Sequence, residues 1–123
     1  MTQEDFKNYS ELQVKFAEDV NRVTNFLCKI DYSLNYITEF YLEDGTVFTH
    51  GWEYWSYGGQ EEHTSCFDAD MLTWSDDKLK KYVDDILAER ERERIKKAEE
   101  TEKMKEEEDR RTWERLNEKF GKK

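Results

Sequence analysis

Residues 36–67 read YITEFYLEDGTVFTHGWEYWSYGGQEEHTSCF and form the most aromatic part of the chain. Two hairpin signals lie inside this stretch. Asp44-Gly45 and Gly58-Gly59 supply the positive φ angles that a two-residue hairpin turn demands, and each is flanked by strand-forming residues. The stretch therefore predicts a three-stranded antiparallel meander. A two-residue loop at Asp44-Gly45 opposes Leu42 to Val47, Tyr41 to Phe48, Glu39 to His50 and Ile37 to Trp52. Side-chain alternation then makes two faces, one with Ile37, Tyr41, Phe48, Trp52 and Tyr54, the other with Phe40, Leu42, Val47 and Trp55. A two-residue turn at Gly58-Gly59 sets Tyr54 against His63 and Trp52 against Ser65, bringing His50, His63 and Glu39 onto one aromatic face. Both faces need cover. A helix on each side, or one helix leaving an aromatic patch open, fits the pattern equally.

Upstream, Thr2 is a candidate N-cap, with Glu4 and Asp5 at the positive end of a helix dipole. Tyr9, Leu12, Phe16, Val20, Val23, Leu27 and Ile30 follow at steps of three and four, one apolar face of a helix about six turns long. Asn8, Lys15, Glu18, Asp19, Asn21 and Arg22 fill its other side. The stripe suits packing on the domain's own sheet; its nearly seven-residue spacing also suits a seam with a partner helix. Asp31 to Asn35 lacks the pattern and is the expected turn into the sheet.

Downstream, Asp68 to Leu72 reads as a short connection that drops Met71 or Leu72 into the core. Ser75 then caps a second helix, with Asp76 and Asp77 in its first turn and Trp74 placed to clasp Leu79. Leu79, Tyr82, Val83, Ile86 and Leu87 form a compact stripe for the sheet. These patterns predict an α+β protein: an N-terminal helix, a three-stranded β-meander and a long charged C-terminal helix. Residues 1–88 are the compact acidic domain and 89–123 an extended charged helix with an apolar end. Pairs such as Glu93 with Lys97, Glu99 with Lys103, Glu91 with Arg94 and Glu108 with Arg111 let that helix persist without a core. Ile95, Trp113, Leu116 and Phe120 share one side of it, more than a quarter turn from Leu79, Tyr82, Val83 and Ile86. That second face predicts a meeting with another copy, as a homodimer, or with a partner, unless a break near Glu106 to Arg111 folds the tail back.

With 36% apolar and 41% charged residues among 123, the chain can bury only a modest core. Its net charge of −10 is unevenly spread. Residues 1–73 hold 14 acidic and four basic side chains; the remainder holds 16 of each. A field of that sign repels nucleic acid and favours a protein partner with a basic surface. Glu39, Glu43, Asp44, Glu53, Glu61, Glu62, Asp68 and Asp70 are the candidate partner-binding carboxylates. Cys28 and Cys66 are too few for a disulfide framework, and nothing reads as a signal peptide or a membrane span, so a reduced, cytoplasmic setting is expected.

His50, His63 and Glu39, with Cys66 three residues beyond His63, are ligand types that zinc accepts. A structural zinc site usually shows paired close spacings, and only one such pair is present. A plain Glu39–His50 cross-strand pair is the stronger expectation, with neither metal nor cofactor required. Catalysis by Cys66 and His63 would need an orienting third group and an oxyanion site, neither visible in the sequence. The Gly58-Gly59 pair has no phosphate-loop surroundings.

The aromatic turn Gly51-Trp52-x-Tyr54-Trp55-x-Tyr57-Gly58-Gly59 and the exit Phe67-Asp68-Ala69-x-Met71-Leu72 into a charged helix resemble small acidic bacteriophage proteins of the host-interaction, anti-defence (anti-CRISPR-like) type. The resemblance covers about half the chain. It implies a non-enzymatic inhibitor, acting in the host cytoplasm, of a CRISPR effector or other defence nuclease, sometimes by imitating the charge of DNA. It carries over no individual functional residue. The alternative from the residues themselves is a self-assembling scaffold protein joined through its long helix.

Overall fold

Asp44 (φ 49°) and Gly45 (φ 75°) both adopt left-handed backbone, the two-residue turn that joins β1 (Glu39–Glu43) to β2 (Thr46–Tyr54). The computed structural model describes residues 1–121, with side chains described through Lys119. In β1 and β2 the register is the expected one, with Leu42 opposite Val47, Tyr41 opposite Phe48 and Glu39 opposite His50. Ile37 does not reach Trp52. Pairing ends where Thr38 N donates to His50 O (2.9 Å), and the chain before it crosses Gly51, whose missing side chain leaves room for the Tyr36 carbonyl. Ile37 is thereby diverted onto the core.

The second hairpin corrects the expected pairing. β3 (Gln60–Asp68) runs antiparallel to β2 with Tyr54 opposite Gln60, Trp52 opposite Glu62 and Gly51 opposite His63. Its loop is Ser56-Tyr57-Gly58, closed by Gly58 N to Trp55 O (3.1 Å) and Trp55 N to Gly59 O (2.9 Å). Gly58 alone takes positive φ (86°), as in a turn followed by a one-residue bulge. Relative to a Gly58-Gly59 turn, β3 shifts by three positions, and an odd shift turns every side chain to the other face. His63 therefore does not share a face with His50 and Glu39.

The sheet, in order β1-β2-β3, belongs to an α+β fold with one packed face. Every buried strand residue, Val47, Thr49, Gly51, His63 and Phe67, lies on that face. Against it pack Val20, Val23 and Leu27 of α1 (Gln3–Leu27), Leu34 from a 3₁₀ turn at Tyr32–Asn35, and Leu79 and Val83 of α2 (Asp76–Gly121). α1 begins as expected: Thr2 Oγ1 accepts from Asp5 N (3.1 Å) while Asp5 Oδ2 accepts from Thr2 N (2.9 Å). α2 begins at Ser75, whose Oγ accepts from Lys78 N (3.2 Å), and Trp74 meets Tyr82 edge-to-face. Arg22 does not serve the polar outer side of α1. Its guanidinium donates to the carbonyls of Trp74 (2.8 Å) and Leu72 (3.0 Å) and to Asp76 (3.0 Å), tying α1 to the 3₁₀ turn Ala69–Thr73 and the start of α2.

The chain divides into two compact units, Met1–Asp85 and Ile86–Lys123. Within the second, α2 runs without interruption through Glu106–Arg111, so the tail does not break and fold back there. Of the four expected helical pairs, Glu91–Arg94 forms (2.5 Å); Glu89–Arg92 (2.6 Å) adds another. No helix among the described residues is long and apolar enough to cross a membrane.

Candidate functional site

Because α1, α2 and the 3₁₀ turn all pack on one side of the sheet, the other side stays open within residues 1–85. It carries Tyr41, Phe48, His50, Trp52 and Tyr54 together with Glu39, Glu43, Glu62 and Asp68. Tyr41 and Phe48 stack at 5.3 Å between ring centroids, and Trp52 stands edge-on to His50 at 5.7 Å. His50 sits between two carboxylates from the neighbouring strands. Its Nε2 lies 2.8 Å from Glu62 Oε1 in hydrogen-bonding geometry. Its buried Nδ1 lies 2.9 Å from Glu39 Oε1 but off the hydrogen-bond line, a close electrostatic contact only. The expected Glu39–His50 pair is present, and Glu62 extends it across the sheet.

Five of the eight carboxylates expected to serve a partner occupy exposed positions of this face or its first turn: Glu39, Glu43, Asp44, Glu62 and Asp68; Asp70 is exposed on the 3₁₀ turn Ala69–Thr73. Asp68 also accepts from Asp70 N (2.9 Å), capping the 3₁₀ turn that follows β3. Glu53 and Glu61 do not belong with them. The same odd shift that moved His63 pairs Glu53 with Glu61 on the packed side, where the Glu53 side chain is only 12% exposed.

There the segment Asp31–Tyr36, featureless in sequence, builds a polar cluster around His63, which is 7% exposed. His63 Nε2 is 2.9 Å from Glu53 Oε1, and Ser33 Oγ is 3.4 Å from Nδ1. Tyr36 stacks on the imidazole at 4.9 Å, and Tyr32 meets it edge-on at 5.5 Å. The Tyr32 hydroxyl donates to both oxygens of Glu53 (3.1 and 3.2 Å). Its hydrogen bond with Tyr36, reinforced by Glu53, holds the phenol protonated well above its ordinary range. Asp31 accepts from Ser33 N (3.1 Å) and from Ser65 Oγ. Ser33, His63 and Glu53 stand in the order of a hydrolase triad, but the Ser33 contact exceeds the roughly 2.6–3.2 Å of an activated nucleophile. The network is suited to orienting the ring. Cys66 faces the opposite side, paired with Phe48, and joins neither His63 nor this cluster.

Two apolar surfaces complete the inventory. Tyr9, Leu12 and Phe16 of α1 and Phe40 and Leu42 of β1 line an open groove of about 710 Å³, so the first half of the α1 stripe finds no cover within the unit. In the second unit Ile95, Trp113 (66% exposed) and Leu116 (50%) are exposed on a helix otherwise almost wholly charged. The Phe120 side chain lies outside the described residues. No family model, curated protein or solved structure matches this chain.

Proposed function

We propose that this chain is a non-enzymatic binding protein whose open sheet face receives a basic protein surface. The observation that supports this reading best is the composition of that face, where the aromatic rings of β1 and β2 are flanked by exposed carboxylates of β1 and β3. Carboxylates hold guanidinium and ammonium groups through charge-assisted hydrogen bonds, and the rings of Tyr41, Trp52 and Tyr54 accept the same cations on their faces. The net charge of residues 1–73 adds long-range attraction of the right sign.

In its finer form the partner is a nucleic-acid enzyme of a host cell, a CRISPR effector or other defence nuclease, inhibited when the acidic face fills the groove meant for nucleic acid. Support for this form comes from the charge distribution and the resemblance to phage proteins. The test is capture from bacterial lysate with the wild-type chain and a Glu39→Lys/Glu62→Lys variant, followed by salt and duplex-DNA competition on the captured complex. The reading expects a nucleic-acid enzyme, released by added salt and by DNA, and lost with the variant. A complex indifferent to salt and to the variant contradicts it.

The exposure of Trp113 and Leu116 favours a second reading, self-assembly through the C-terminal helix. Light scattering over a dilution series decides it, since a monomer at every concentration removes it.

A further inference from the structure

The cluster at the end of the β2–β3 pair holds an unresolved electrostatic conflict. Glu53 and Glu61 oppose each other directly across the two strands, an arrangement that like charges disfavour. Among the described residues no lysine or arginine lies within ion-pair distance of either carboxylate; the nearest compensating group is His63. One donor atom from each of Glu53, Glu61 and His63 lies within 4.8 Å of the other two. We infer that these three residues form a binding site for a divalent transition-metal cation, with Zn²⁺ the ion best matched to one imidazole and two carboxylates.

Bonds of about 2.0–2.2 Å to zinc bring such donors to within roughly 3.5 Å of one another, so closure needs a movement of about 1 Å. Glu61 is exposed and free to supply it by a change of rotamer, whereas His63 and Glu53 are held in place. The support around them has the form metal ligands need. The second nitrogen of His63 faces Ser33 Oγ, Tyr36 stacks on the ring, and the Tyr32 hydroxyl grips Glu53. Binding through Nε2 replaces its hydrogen bond to Glu53 and puts the remaining ring proton on Nδ1, donated to Ser33 Oγ. The exposed side of Glu61 leaves room for water to complete the coordination. His50 is not equivalent, because its two carboxylates approach opposite ring nitrogens and cannot close on one ion. The site is on the packed side of the sheet, so it stands independently of partner binding on the open side.

Zinc chloride titrated calorimetrically into the full chain, with ¹⁵N-edited spectra of the two imidazoles, tests the inference. One ion should bind per chain, moving the ring resonances of His63 and leaving those of His50. Glu61→Gln, at an exposed position, should keep the fold and weaken binding roughly tenfold or more, while Glu62→Gln beside His50 should not. Zinc should also raise the melting temperature of the wild type and not of Glu61→Gln. An absence of binding, binding that shifts His50 instead, or binding unchanged by Glu61→Gln overturns the assignment.

Discussion

At Gly51 the absence of a side chain is what lets Tyr36 and Ile37 cross the sheet, because a methyl group there would overlap the Tyr36 carbonyl. Gly51→Ala should therefore abolish the cooperative thermal transition or lower its midpoint sharply in circular dichroism; a melt like the wild type's would show that the crossing can move. Arg22 supplies three hydrogen bonds to groups far from it in sequence, two of them carbonyls at the end of a 3₁₀ turn. Arg22→Ala should cost about 2 kcal/mol in urea unfolding, the scale of lost charge-assisted bonds. The backbone N–H of Thr2, and its hydroxyl after it, hold the Asp5 carboxyl below the usual carboxylate range. A carboxylate depressed by folding stabilises above its unfolded pKa, and that contribution is lost as pH falls through the lowered one. Hydrogen-exchange protection factors in the first turn of α1, taken relative to the intrinsic rate at each pH, should fall in acid, and Asp5→Asn should remove that dependence. Of these three roles only that of Asp5, beside its cap, is written in the local sequence. Gly51 reads as a strand glycine and Arg22 as a surface cation until the element opposite each is known.

Among the elements, the two hairpins show how far local signals reach. Asp44-Gly45 admits one turn, since its two residues both take positive φ, and the β1–β2 register followed from it. Gly58-Gly59 admits two, and the three-residue loop with its bulge was chosen over the two-residue turn. That choice moved Glu61 and His63 to the packed side, where Glu53 of β2 already stood, and brought Glu62 to the open one beside Glu39 and His50. α1 is divided in a similar way. At 1.5 Å per residue its 25 residues run about 37 Å, while β1 offers only five residues of strand, so the sheet covers the second half and leaves the first. Leu79→Ala, in the shared core, should cost about 2–5 kcal/mol of unfolding free energy measured by urea titration, and Tyr9→Ala on the uncovered half less than about 0.5 kcal/mol. Equal losses would show that the groove is occupied in solution.

For the whole molecule, charge and cover act at different ranges. The acidic excess of residues 1–73 repels itself, and added salt screens that repulsion between exposed groups. Moderate salt should raise the unfolding midpoint followed by tryptophan fluorescence while weakening any complex with a basic partner; a falling midpoint would contradict the balance of charges described above. The second unit has no core of its own among the described residues and persists as helix on local pairing and propensity. Helix starts, the first turn, the α+β order of elements and the charge asymmetry were all determined by the sequence alone, because each depends on residues within a few positions of one another. Which sheet face stays open, where His63 points and what Arg22 holds were decided only by tertiary structure. Strand register and helix placement are set by contacts between distant segments, and a strand's side chains change sides with every single step of that register.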